Sequence, residues 1–124
     1  MVENIKIENV KAKTQIHAGW WWGKGEGFVI CAKNTTGQIK NIEIKNCSFV
    51  EENPSIIIGD GENLDGVKIE NCSFKYEKGD THPYYYGKMD IQPNVPDIFE
   101  APFKTGDLLY TDGAKNVTVD GNNI

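Results

Sequence analysis

Arginine is missing altogether: the 13 basic residues are all lysine, set against 18 acidic ones. The chain therefore lacks the planar guanidinium that grips a carboxylate or phosphate at two points. Its formal net charge of −5 is also wrong for a phosphate backbone, so nucleic acid is not an expected partner. No apolar run approaches the roughly 20 residues that cross a bilayer as a helix, and no membrane association is expected. The stretch Met1 to Val10 alternates polar and apolar residues and carries no signal-peptide pattern. Cysteine is sparse. Cys31, Cys47 and Cys72 have no metal-binding spacing and are too few for a disulfide framework. The two histidines, His17 and His82, stand alone, so neither a metal nor a cofactor is expected.

What is present is a repeat. Asn4–Val10, Asn41–Phe49, Gly66–Phe74 and Asn116–Asn122 all align, each alternating apolar and polar residues with period two. That is the pattern of a strand with one buried face. Their first residues lie 37, 25 and 50 residues apart. A coil of about 25 residues, with two insertions, accounts for all three offsets. A second set of strands, Phe28–Cys31, Ile56–Ile58 and Leu108–Tyr110, precedes repeat segments, and Gly59-Asp60-Gly61 and Asp112-Gly113 read as turns after two of them. A shorter third strand, such as Cys47-Ser48-Phe49, completes each coil. The expected fold is all-β: a right-handed parallel β-helix of about three to four coils, forming a single truncated domain over residues 1–124.

Asn9, Asn46 and Asn71 share one repeat position, just after the alternating strand. Asparagine enters the left-handed backbone region more readily than most residues with a β-carbon, so it suits a sharp coil corner. Stacked in register, its amides form a ladder. Gly121 takes the same place in the fourth copy and is read as the same corner. Cys47 and Cys72 also share a position, at a separation that a disulfide permits; stacked buried thiols are the expectation. Glu8, Glu43, Glu70 and Asp120 alternate with Lys6, Lys45 and Lys68 as a solvated sheet face, and Asp60, Asp65 and Asp112 belong to turns.

Binding residues project on loops from a rigid scaffold. Two excursions interrupt the repeat. The first, about 13–27, carries Gly19-Trp20-Trp21-Trp22-Gly23-Lys24-Gly25-Glu26-Gly27. Three adjacent indoles cannot share one face of a strand, so at least one is expected at a surface, where indole stacks on the apolar face of a sugar ring. A loop folded onto its own hydrophobic cluster is the competing structural reading. The second, about 75–107, holds His82-Pro83-Tyr84-Tyr85-Tyr86-Gly87 and Lys88-Met89-Asp90-Ile91-Gln92-Pro93. Loops of that length are functional or disordered.

At these residues the sequence resembles glycoside hydrolase family 28, the polygalacturonases and rhamnogalacturonan-degrading enzymes. The resemblance rests on Trp21-Trp22-Gly23-Lys24-Gly25-Glu26 before the strand Phe28–Cys31, on Gly37-Gln38-Ile39-Lys40-Asn41-Ile42, and on Gly87-Lys88-Met89-Asp90-Ile91-Gln92-Pro93. It implies pectic, possibly acidic, poly- or oligosaccharide as partner and Trp20, Trp21, Trp22, Lys24, Glu26, Tyr86, Asp90 and Gln92 as substrate-binding residues. It also implies an extracellular or periplasmic parent whose export signal lies outside this sequence. The family's catalytic signatures, Asn-Thr-Asp, Asp-Asp, Gly-His-Gly and Arg-Ile-Lys, do not occur here. The expected function is therefore the C-terminal part of a pectin-degrading hydrolase, contributing scaffold and part of a substrate groove, and inactive alone. The alternatives are a non-catalytic carbohydrate-binding module and a structural β-helix of a tail fibre or adhesin. Open strand edges lead us to expect end-to-end self-association, or a loop over one edge.

Overall fold

Each alternating segment has one row of branched side chains to bury and one polar row to leave in water, which is what a pleated strand provides. The computed structural model describes residues 1–15, 25–33, 35–77 and 107–124, and the described residues form strands with no helix. The strands are β1 (Val2–Glu8), β2 (Lys11–Lys13), β3 (Val29–Cys31), β4 (Ile39–Lys45), β5 (Ser48–Glu51), β6 (Ser55–Ile58), β7 (Leu64–Glu70), β8 (Ser73–Tyr76), β9 (Leu109–Asp112), β10 (Lys115–Val119) and β11 (Asn122–Asn123). The protein is all-β.

Three sheets result. The first has the order β1-β4-β7-β10-β11, the second β2-β5-β8 and the third β3-β6-β9. Every pairing is parallel except that of β10 with β11. The chain visits the first, second and third sheets in turn and then returns to the first. Equivalent residues stack: Ile7 on Ile44, Ile44 on Ile69, and Ile69 on Val119. Between the sheets lies one core containing Ile42, Ile44, Phe49, Ile57, Leu64, Val67, Ile69 and Val117. Phe49 and Phe74 stack with centroids 5.3 Å apart, and Phe28 meets Phe49 edge-on at 5.4 Å.

The corners obey the asparagine pattern. Asn9, Asn46 and Asn71 have φ of 60°, 55° and 50°, and Asn71 Nδ2 donates to Asn46 Oδ1 at 2.7 Å. A second column has the same geometry and was not recognised from sequence. Asn4, Asn41 and Asn116 have φ of 58°, 57° and 54°, and Gly66, which holds that place in β7, has 89°. Asn41 Nδ2 donates to Asn4 Oδ1 at 3.2 Å. One left-handed residue inside a strand resets the side-chain alternation. That is why Ile39, Ile42 and Ile44 all pack toward the core although strict period two would turn Ile39 outward.

Asn46→Ala is expected to cost about 1–2 kcal/mol of stability in urea unfolding, because alanine must hold the left-handed backbone without the ladder bond. Asn46→Gly relieves the backbone strain and is expected to recover much of that loss. Equal losses for both variants would assign the whole effect to the amide ladder.

The fourth repeat segment departs from expectation. Asp120 and Gly121 both take positive φ, 49° and 83°, so the chain reverses and β11 runs antiparallel along β10. Two consecutive left-handed residues make a hairpin turn where a single one makes a corner. Asp120 is exposed like the rest of its row but is also a turn residue, its Oδ1 accepting from the Asn71 N–H at 2.9 Å. The other members of that row do stand outside: Lys6 lies 3.8 Å from Glu8 and 4.0 Å from Glu43, and Lys68 lies 3.1 Å from Glu70. The cysteines are free thiols; Cys47 is buried and Cys72 half-buried. Burial is the main cause that pushes the Cys72 thiol above its ordinary value.

Candidate functional site

The expected binding residues Trp20, Trp21, Trp22, Lys24, Tyr86, Asp90 and Gln92 lie outside the described residues. Glu26 is described and half-buried; the points where both excursions leave and rejoin the sheets are described too. Those points converge. Both excursions connect the second sheet to the third: one joins β2 to β3, the other β8 to β9. Between them β5 passes to β6 through Glu52, Asn53 and Pro54 alone.

Hydrogen bonds tie the four roots to this short connection. The Gly25 carbonyl, on the returning end of the first excursion, accepts from Glu52 N at 2.9 Å, Asn53 N at 3.1 Å and Thr14 Oγ1 at 2.9 Å. Thr14 stands on the leaving end, so one carbonyl closes the neck of the loop. On the second excursion, Glu77 N donates to the Glu51 carbonyl at 2.9 Å, and the Leu108 carbonyl accepts from Ser55 N at 3.1 Å. An ion pair of 2.7 Å between Lys13 and Glu77 spans the two loop roots. That pairing, first by hydrogen bond, holds the Glu77 carboxyl below its ordinary value. The roots are narrower than the sequence reading, since β8 runs through Lys75 to Tyr76 and the chain is back in contact by Gly25.

At the centre of this corner is a buried carboxyl that sequence reading missed. Glu51 is fully buried. Its Oε2 accepts from Ser55 N at 2.8 Å, and both its oxygens lie 3.2 Å from Ser55 Oγ. The Gly27 backbone also hydrogen-bonds the carboxyl, and Ser55 Oγ accepts from Phe28 N at 3.2 Å. A β-carbon on Gly27 would lie 2.6 Å from Ser55 Oγ and 3.0 Å from Phe49, so glycine is what lets the returning strand approach the pair. Burial pushes the Glu51 carboxyl up from 4.5 to about 7; its hydrogen bonds oppose the shift, and the charge of Glu26 adds to it. The signal was present in the alternation. Phe49 faces the core, so the residue two further along faces it too, despite being acidic.

Glycoside hydrolysis requires two carboxyl groups that both reach the sugar, set roughly 6.5–9.5 Å apart in inverting enzymes. Glu51 has the raised affinity for a proton that such an acid needs, yet it is sealed from solvent. It acts as a clasp, joining the first excursion's return to the turn between β5 and β6. Of the three aspartates expected in turns, only Asp60 stands in one, its N–H donating to Asn63 Oδ1 at 2.8 Å; Asp65 lies in β7, where it accepts from Asn116 Nδ2 at 2.7 Å, and Asp112 ends β9, because the strands run further toward the turns than the glycines suggest. Among the described residues no group of three or more His, Cys, Asp or Glu side chains could hold a metal ion.

The neighbouring third sheet is apolar on both faces. Ile57 joins the main core, while Ile56 and Ile58 form a separate cluster on the opposite face with Cys31 and Tyr110 against it. Ile56 and Ile58 are nevertheless buried. The Ile56-Ile57-Ile58 run therefore reads as a strand covered on both sides. Comparison with known protein families, with curated proteins and with solved structures finds no match to this chain.

Proposed function

We propose that the three parallel sheets are the walls of a right-handed parallel β-helix, and that this scaffold presents two aromatic loops to a pectic polysaccharide without itself cleaving it. The handedness follows from the general rule for parallel strands joined by crossover connections in one sheet. The observation that carries the functional reading is the convergence of both excursions on the Glu51–Ser55 corner. Segments that hold Trp20, Trp21, Trp22 and Lys24 on one side and Tyr86, Asp90 and Gln92 on the other are rooted one circuit above and below the short β5–β6 connection. Indole and phenol faces offer sugar rings flat apolar area, and lysine can offer charge to an acidic sugar. The sealed state of Glu51 and the missing family signatures support a non-catalytic role, as part of a larger family 28 hydrolase acting outside the cytoplasm.

The test pairs binding with turnover. Oligogalacturonides titrated into the protein are expected to shift tryptophan fluorescence and to release binding heat, with both signals reduced in Trp21→Ala. Reducing-end assays on polygalacturonate and rhamnogalacturonan are expected to show no hydrolysis. A flat titration removes the carbohydrate reading, and robust turnover removes the non-catalytic one.

A further inference from the structure

Three consecutive residues at the corner between the first and second sheets are matched from one circuit to the next. Asn71 Nδ2 donates to Asn46 Oδ1 at 2.7 Å, and Ser73 Oγ donates to Ser48 Oγ at 3.1 Å. Between these two links stand Cys47 and Cys72. Backbone bonds hold them in register: Asn46 N donates to the Glu70 carbonyl at 3.0 Å, and Ser73 N to the Cys47 carbonyl at 2.9 Å. Adjacent strands lie about 4.8 Å apart, inside the roughly 4.4–6.8 Å between α-carbons that a disulfide spans. The Cys72 sulfur leans toward the circuit of Cys47, 3.5 Å from the Ile44 carbonyl, and interacts with the Cys47 side chain. Cys47 is 3% exposed and Cys72 half-buried, and both line an open cavity of about 400 Å³ along this corner. Cys31 stands apart, packed with Ile56 and Ile58 on the outer face of the third sheet.

We infer that Cys47 and Cys72 are a disulfide-forming pair that staples two successive circuits when the protein meets a small disulfide oxidant. The cavity admits such a molecule to Cys72, the more exposed thiol. Cys72 loses its proton to water, and its sulfur attacks one sulfur of the oxidant R–S–S–R. A mixed disulfide forms and R–S⁻ leaves, taking up a proton. The Cys47 sulfur then attacks the Cys72 sulfur, gives up its own proton and expels the second R–S⁻. Two electrons pass from the pair to the oxidant, and the products are one protein disulfide and two molecules of R–SH. Burial pushes the Cys72 thiol above its ordinary value, so the first step is slow at neutral pH. The link closes one full circuit, the one that carries Glu51 and Ser55, to which both excursions are tied. Closing that loop removes freedom from the unfolded chain and so stabilises the folded one. The inference is independent of the carbohydrate reading.

The test incubates the reduced, folded whole chain with oxidised glutathione, alkylates the remaining thiols under denaturing conditions and maps the peptides by mass spectrometry. The expected product is one intramolecular Cys47–Cys72 link, with Cys31 alkylated. In Cys47→Ser the reaction is expected to stop at a glutathione adduct on Cys72, and Cys31→Ser is expected to leave the link unchanged. The oxidised protein is expected to unfold at about 1 M higher urea than the reduced one, a gap that Cys72→Ser abolishes. Circular dichroism run alongside confirms that each variant is folded. Persistent thiols or a stable glutathione adduct in the wild type overturn the proposal, as does a link through Cys31 or between two molecules. An oxidised form no more resistant to urea than the reduced one overturns the stapling of the circuits.

Discussion

Glu51→Gln is expected to remove most of a pH dependence of stability that the wild-type protein shows between about pH 4.5 and pH 7. In the unfolded chain this carboxyl titrates at its ordinary value of 4.5, and in the folded protein at about 7. The folded state thus binds the proton more tightly. Its contribution is fully present below 4.5, declines as pH rises through 7, and is gone above that, where the protein must hold a charge in a dry corner. The span between the two values corresponds to about 3 kcal/mol. Glutamine keeps an oxygen to accept from Ser55 N and never ionises. Urea unfolding of both proteins from pH 4 to pH 8 gives a difference curve that isolates Glu51 from exposed pairs such as Lys13–Glu77. The glutamine variant is expected to gain on the wild type by about 3 kcal/mol across that range. Parallel curves would mean that the carboxyl is hydrated in solution. Because Glu51 clasps the segment returning from the tryptophan excursion, the same titration is expected to loosen that corner above pH 7. Faster amide exchange at Gly27 and Phe28 there, absent in the glutamine variant, is the accompanying readout.

The second large effect lies in the core. Ile44 is 1% exposed, stacked between Ile7 and Ile69 in the middle of the first sheet. Truncation to alanine removes three carbons from a place where neighbours on adjacent strands are held by their own ladders and collapse poorly. Ile44→Ala is expected to cost about 3–4 kcal/mol, read as a lower urea midpoint at unchanged slope. For a domain of this size that is a large share of total stability, and partial unfolding at 37 °C is expected. A loss under about 1 kcal/mol would mean that the stacked column does not carry the core.

How much of this was legible in the chain differs from feature to feature, for physical reasons. The alternating strands, their 25-residue spacing and the asparagine corners are local properties. Side-chain period, left-handed tolerance and the repeat offset are all written in neighbouring residues, and the register Ile42 to Val67 and the Asn46–Asn71 bond follow that spacing. The ionic rows were legible for the same reason. The Asp120-Gly121 turn was read as a corner because a single glycine suits either; only the second consecutive positive φ makes it a hairpin. The column Asn4, Asn41, Gly66 and Asn116 was hidden because a left-handed residue within a strand looks in sequence like one more polar position in the alternation.

The sequence by itself determined an all-β chain with stacked repeats and two aromatic excursions, because strand periodicity and corner chemistry depend on residues that are near neighbours along the backbone. Only the tertiary structure decided that both excursions are rooted at one corner and that Glu51 is sealed there against Ser55 and Gly27. Both depend on residues brought together from different circuits, and the burial that sets the Glu51 proton affinity exists only once the circuits are stacked.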